Sequence, residues 1–400
     1  MPDAVIVATG RTPIGRANKG SLVSCRPDDL AALVIKEVVA KVPQLDPALI
    51  EDVMLGCGQP AGEAGYNVAR VAAILASINV PGVTVNRYCS SSLQTIRMAA
   101  HAIRAGEGDV FVAAGVETVS RFRFGASDTG PHNPAFAEVE ARTAARNPAV
   151  TEPWTPPKGI GDVYIAMGQT AENVAEYEKV TREEMDRFAA RSQNLAVESQ
   201  KNGFFEREII PVTLDDGTVV AKDDGPRPDT TVEGLAALKP VFREGGTVTA
   251  GNACPLNDGA AAVVVMSESK ASELGITPLA RIVSSGVSAL DPEIMGLGPI
   301  EACRQALKRA GKTMDDIDLV EINEAFAAQV IPSAKHLGID WDKLNVRGGA
   351  IALGHPFGMT GARIMTTLLN ALDDENKTWG LESMCVGGGQ GMAMVVERLS

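Results

Sequence analysis

Four segments of this 400-residue chain join a reactive side chain to small neighbours. VNRYCSSSLQT (85–95) puts Cys89 between a short apolar run and a helical pattern. The first N–H groups of a helix are unpaired and carry partial positive charge, so a thiol held there is biased toward the nucleophilic thiolate. Ser90, Ser91 and Ser92 leave it approachable; the bland alternative is a buried cysteine with a Ser-rich cap. GGAIALGHPFGMTGAR (348–363) places His355 in a turn shaped by Gly354 and Pro356. Of the four histidines, His101 and His336 fall on helical patterns as packing or surface residues, and His132 lies among prolines. Only His355 sits where small residues let a ligand approach, as a general base would need. MCVGGGQGMAM (384–394) sets Cys385 before three glycines. Such a run costs backbone entropy, and is either a tight turn or a set of N–H groups aimed at a developing oxyanion. In INEAFAAQ (322–329), Asn323 is either a helix N-cap or a group that orients a water toward a carbonyl oxygen. A hydrolase needs one nucleophile and one base. The second cysteine suggests a further proton transfer, for example to a carbon.

Two segments imitate nucleotide loops and fail. GGGQGM departs from GxGxxG and enters a strand rather than a helix. GRTPIGR (10–16) has Arg16 where a phosphate loop needs Lys, with no Ser or Thr after it.

The elements that would position these groups alternate. Residues 4–8, 51–56, 83–86 and 110–115 read as strands. Residues 28–41 form a helical pattern, and Leu93, Ile96, Ala100 and Ile103 line one helix face. Such alternation predicts parallel α/β layers. From 121 to 247 the chain carries ten of its 23 prolines and two charged helical stretches; Pro131, Pro134, Pro148, Pro153, Pro156 and Pro157 mark one long irregular segment. Strand character resumes at 259–266. The C-terminal part repeats the N-terminal plan. DIDLVEI (316–322) matches 51–56, and NDGAAAVVVMS (257–267) matches GGGQGMAMVVE (387–397). Asp52 precedes Cys89 by 37 residues and Asp318 precedes His355 by 37, each target following a short strand and opening a helix. The expected domains are 1–120 with 248–274, an inserted loop domain over 121–247, and 275–400.

Composition narrows the partners. The net charge of −13 demotes a generalist nucleic-acid binder, yet leaves room for a small polyanion on a local basic patch. The apolar run Ala4–Ala8 is too short for a signal or a membrane span, and the ending Arg398-Leu399-Ser400 is no peroxisomal address, so a cytoplasmic location is expected. The six cysteines form no CxxC pair, which argues against zinc and dithiol chemistry.

Along its whole length the chain resembles the thiolase family. The matches are NRxCSS around Cys89, GTVTAGNA (246–253), NEAF (323–326), GGAIALGHP (348–356) and CxGGGQG (385–391). The resemblance implies two layered α/β halves (αβαβα) with an inserted loop domain. It implies thiolysis of 3-ketoacyl-CoA to acetyl-CoA and a shortened acyl-CoA, reversible as a Claisen condensation. Cys89 would carry the acyl group, His355 would take its proton, and Cys385 would protonate the enolate carbon. His355 with a water on Asn323 would hold the enolate oxygen, and the N–H groups of Cys89 and Gly387 the tetrahedral oxyanion. Coenzyme A is then a substrate, with no permanent cofactor. Arg227 would touch its nucleotide end, Ala250, Gly251 and Cys254 its pantetheine arm, and Phe326 the thioester pocket. A homodimer or homotetramer is implied as well.

Three positions depart from the family pattern: Ser92 for Gly, Cys254-Pro255 for Ser-Gly, and Ala166 where short-chain biosynthetic members carry His. The last favours a degradative thiolase over a biosynthetic acetyl-CoA acetyltransferase. A ketoacyl synthase would have a second His at Cys385. A cysteine thioester hydrolase would use water as acceptor, and a non-catalytic lipid-binding relative would not need all four polar residues.

Overall fold

The computed structural model describes residues 2–146 and 153–400; Pro148 of the proline-rich stretch lies outside them. The first half contributes β1 (Ala4–Arg11), β2 (Gly15–Arg16), β3 (Asp52–Gly56), β4 (Gly82–Val85) and β5 (Val110–Thr118), with helices α1 (Pro27–Ala40), α2 (Val68–Leu75) and α3 (Ser91–Ala105). The insertion carries α4 (Ala137–Arg146), α5 (Met167–Glu178), α6 (Arg182–Lys201), a hairpin of β6 (Val212–Thr213) and β7 (Val219–Val220), and α7 (Val232–Ala236). The chain returns through β8 (Asn257–Ser267) and α8 (Glu268–Glu273). The second half holds β9 (Ala280–Ala289), α9 (Gly298–Ala310), β10 (Leu319–Ile322), α10 (Ala327–Leu337), α11 (Ala350–Leu353), α12 (Thr360–Asp374), β11 (Trp379–Val386) and β12 (Gln390–Arg398). The segment expected to be irregular thus contains a ten-residue helix, α4. No helix among the described residues is long and apolar enough to cross a membrane.

The sheet is mixed rather than parallel throughout. β3 pairs parallel with β4 and β5, whereas β5–β8 and β8–β1 are antiparallel. The second half repeats the pattern: β10 is parallel to β11, with β11–β12 and β12–β9 antiparallel. The halves meet where β1 and β9 share a two-residue ladder at Val5 and Ile6.

Strand periodicity sorts the side chains into layers. On β8, Ala262, Val264 and Met266 pack with the α1 and α2 residues Val34 and Ala72, while Ala261, Val263 and Val265 pack with Leu93 and Ile96 of α3 and Ile364 and Leu368 of α12. On β12, Met392, Met394 and Val396 join that same middle layer, while Ala393 and Val395 face Cys303 of α9 and Val330 of α10. Alternation along a strand thereby builds an αβαβα stack, with α3 and α12 in the centre.

The GRTPIGR segment has a structural explanation. Arg11 is fully buried and pairs with Asp223 at 2.7 Å and Glu208 at 3.1 Å, tying β1 to the insertion. Arg11→Met should destabilise the protein by about 3–5 kcal/mol, because it strands two buried carboxylates. A shift in denaturation free energy below about 1 kcal/mol would contradict this account.

Candidate active site

β4 ends at Val85, and the 3₁₀ turn Tyr88–Ser90 leads directly into α3. Gly56 at the end of β3 lies against that helix start; a Cβ there would stand 2.4 Å from the Ser91 carbonyl carbon. Cys89 is 9% exposed. The backbone N–H groups of Gly387 and of Cys89 itself act on its sulfur in the direction of the thiolate. Burial outweighs both donors and pushes the thiol up to about 12, with the buried Glu117 carboxylate acting in the same direction. The thiolate bias expected from the helix start is therefore corrected: the resting group is a thiol. Its alkylation by iodoacetamide should climb about tenfold per pH unit through pH 9, since the thiolate fraction rises with pH below the pKa. A rate plateau near pH 7 would show instead an activated thiolate.

The three glycines form the turn between β11 and β12. Gly388 and Gly389 both have φ +77°, a conformation costly for side-chain-bearing residues. That turn presents the Gly387 N–H to Cys89. Cys385, two residues earlier on β11 opposite Gly391, is fully buried. Burial holds its thiol well above the ordinary range, and Cys89 and Cys254 add to the shift. Cys254 is thus a third thiol of the site. Its N–H donates to the Ala325 carbonyl at 3.0 Å, and burial raises it too, ahead of the effect of Cys89.

His355 is 1% exposed. The helical turn α11 precedes it and a 3₁₀ turn, Phe357–Met359, follows, so the expected strand before it is absent. Its tautomer follows from its partners. The Thr360 hydroxyl donates to the Pro356 carbonyl at 2.8 Å, so its Oγ1 accepts from His355 Nδ1–H at 2.6 Å. Nε2 then bears a lone pair, 3.3 Å from Asn323 Nδ2. Burial, then the Arg363 charge, lowers the imidazole to about 3, which keeps it neutral at ordinary pH. The Asn257 side chain accepts the His355 backbone N–H at 3.0 Å and lies so close to Gly354 that a Cβ there would be 2.4 Å away.

Asn323 does not cap a helix, because α10 starts at Ala327 with Phe326 in the cap position. Its N–H donates to the Ser383 carbonyl at 2.9 Å, its carbonyl accepts from Gln329 Nε2 at 2.6 Å, and its buried Oδ1 has no partner among the described residues. Glu117, at the end of β5, accepts from the N–H groups of Gly58 at 2.7 Å, Gly358 at 2.9 Å and Gln59 at 3.1 Å. It thereby ties the loop after β3 to the loop after His355. Burial raises this carboxyl to about 7 against those three donors. Ser92 also has a local reason: its Oγ accepts the Ala362 N–H at 2.9 Å, one of the unpaired donors at the start of α12.

The structure therefore brings Cys89 to Gly387, Asn323 to His355, and Cys385 and Cys254 to Cys89. The expected CoA contacts are more dispersed. Phe326 is buried edge-on to Phe242, with ring centroids 6.0 Å apart. Ala250 is exposed; a Cβ at Gly251 would meet Leu235 at 2.5 Å and Leu238 at 2.6 Å. Arg227 is exposed, and its guanidinium feels burial and the positive charge of Arg16. Thr360, Asn257, Glu117 and Arg16 were not singled out for roles from sequence. The Thr360 spacing, five residues after His355, is the only local signal among them.

The family model described as "Thiolase, N-terminal domain" matches residues 4–269, and "Thiolase, C-terminal domain" matches 276–398. The chain belongs to the thiolase family. Among curated thiolases, the 3-oxoadipyl-CoA/3-oxo-5,6-dehydrosuberyl-CoA thiolase of Escherichia coli (strain K12) is 43% identical, with 100% of both chains covered. The 3-ketoacyl-CoA thiolase of Bacillus subtilis (strain 168) is 42% identical over 99% of this chain and 100% of its own. A crystal structure of a thiolase-like relative, the Bacillus anthracis acetyl-CoA acetyltransferase, superposes with a TM-score of 0.86 at 41% identity, covering 100% of this chain and 99% of that one.

Proposed function

We propose that this thiolase cleaves 3-ketoacyl-CoA with CoA, through an acyl group on Cys89. His355 Nε2 takes the Cys89 proton as the sulfur attacks the 3-keto carbon. The C2–C3 bond then breaks, its electron pair moves into the acetyl-CoA enolate, and Cys385 gives its proton to C2. The proton on His355 returns to the Cys385 thiolate, and acetyl-CoA leaves. CoA thiol then loses its proton to His355, attacks the acyl-Cys89 thioester and releases the shortened acyl-CoA, and His355 returns the proton to Cys89. The second half exchanges one thioester for another, and the first half run backward is a Claisen condensation, so the sequence is reversible.

The observation that supports this reading most is that the Gly387 N–H acts on the Cys89 sulfur, favouring negative charge there. A donor fixed there also lies beside the oxygen of a tetrahedral adduct on that sulfur. The neutral His355 with a bare Nε2, and the buried Cys385 that stays protonated, suit the two proton transfers. Asn323 is read as holding the water for the enolate oxygen, on its proximity to His355. Arg227, with Arg16 beside it, is read as the site of the CoA phosphates. Ala250, Gly251, Cys254 and Phe326 are read as flanking pantetheine and thioester, and 121–247 as the unit that carries most of the CoA surface. The six free thiols suit a reducing cytoplasm. β4 ends the sheet order, and Tyr66 nearby is 97% exposed, which favours a dimer built on that edge. The degradative direction is favoured by Ala166 and by the names of the curated relatives.

The test is to incubate the protein with acetoacetyl-CoA and longer 3-ketoacyl-CoAs, with and without CoA, and to locate acyl groups by mass spectrometry. An acyl adduct on Cys89 that CoA discharges is expected. Acyl loss to water at the same rate without CoA would point to a hydrolase.

A further inference from the structure

The residue that precedes the nucleophile has an unusual conformation. Tyr88 has φ +42°, a left-handed backbone that is costly for an aromatic residue and persists only where its surroundings impose it. Two hydrogen bonds do so: the Tyr88 N–H donates to Asn86 Oδ1 at 2.8 Å, and its carbonyl accepts from Ser91 Oγ at 2.7 Å. This backbone turns the ring toward the glycine turn. A Cβ placed on Gly387 would lie 3.4 Å from Tyr88 Cδ2, 3.5 Å from its Cγ and 3.8 Å from Met167 Sδ. Val163 approaches the next residue, 3.7 Å from a Cβ on Gly388. Tyr88 is 44% exposed although the adjoining Cys89 is buried, which places the ring at the mouth of the site.

From this packing we infer that Tyr88 determines which acyl groups Cys89 accepts, by a steric wall against branching at the carbon next to the transferred carbonyl. The inference rests on the acyl-Cys89 reading. With the sulfur and the Gly387 N–H fixing the carbonyl, the first carbon of the acyl chain has to leave beside the ring. A straight chain then needs room for one substituent on that carbon beside the ring, whereas a branched chain needs room for two. The pinned backbone fixes the point from which the ring projects, directly before Cys89. The phenol oxygen makes no hydrogen bond among the described residues and has no part in the wall.

An isomeric pair tests this: 3-oxohexanoyl-CoA, which delivers a straight butyryl group, and 4-methyl-3-oxopentanoyl-CoA, which delivers isobutyryl. For the intact protein the ratio of kcat/KM, branched over straight, is expected to be low. Tyr88→Ala should raise the ratio tenfold or more, the range in which a pocket discriminates by one or two carbons. Tyr88→Leu should raise it by less, and Tyr88→Phe should leave the ratio within about twofold. All four keep a side chain at the same φ, so the comparison isolates the ring, and Tyr88→Leu serves if the alanine variant does not fold. A ratio unchanged by both Ala and Leu, or raised as much by Phe as by Ala, overturns the inference. Mass spectrometry of the unmodified protein separates the two levels. Butyryl on Cys89 with an unchanged ratio defeats the Tyr88 wall alone, whereas no adduct from either substrate defeats the acyl-Cys89 reading and the wall with it.

Discussion

Cys89→Ala should lose thiolysis of 3-ketoacyl-CoA by about 10⁴-fold or more, and no acyl adduct should form anywhere on the chain. Without the sulfur, the carbonyl carbon has no protein nucleophile, and the remaining groups bind and polarise a substrate that cannot be cleaved by transfer. The substitution removes one sulfur that is neutral at rest, so folding should be little affected; an unchanged circular dichroism spectrum would establish this. His355 and Cys385 do not substitute for the missing group. The first is a neutral imidazole set between Thr360 and Asn323, and the second a thiol held protonated by burial. Activity within tenfold of the parent would remove Cys89 from the mechanism.

Cys385→Ala should divide the reaction in two. Cleavage of 3-ketoacyl-CoA should fall by about 10²–10⁴-fold, the usual worth of a positioned general acid. Transfer from a simple acyl-CoA to labelled CoA should fall by less than about tenfold, because acylation of Cys89 by such a donor needs no proton on carbon. Exchange of the acetyl-CoA methyl protons with deuterium oxide should disappear along with the cleavage. The reason lies in Cys385's surroundings. Burial raises its thiol, and Cys89 and Cys254 nearby raise it further, so the proton is present until a strongly basic enolate carbon arrives. Equal losses in cleavage and simple transfer would reduce Cys385 to a packing residue.

The candidate site was legible before folding as a set of rare residue types in costly contexts. A cysteine at a strand-to-helix turn, a histidine between Gly354 and Pro356, and a cysteine ahead of three glycines each have a packing or turn reading alone, and point to chemistry in combination. The repeat of short strands likewise marked two similar halves, and the observed pairing of β3, β5, β8 and β1 recurs in β10, β11, β12 and β9. Strand direction was less legible. Continuous apolar runs such as β8 are buried on both faces, and that pattern reads as parallel even where the partners run antiparallel.

The sequence by itself determined which groups are available: Cys89, His355, Cys385, Asn323 and a glycine turn free to present N–H groups. Only the tertiary structure decided their protonation and aim. A helix start lowers a thiol pKa through a few local dipoles, but the surrounding layers remove water from all sides, and for Cys89 that larger effect wins. Thr360, which sets the His355 tautomer, lies only five residues on, but the groups that face Nε2 and hold the loop come from distant places in the chain: Asn323 after β10, Asn257 at the start of β8 and Glu117 at the end of β5. No local pattern encodes such meetings, because desolvation and hydrogen-bond geometry depend on which strands become neighbours, not on which residues are adjacent in sequence.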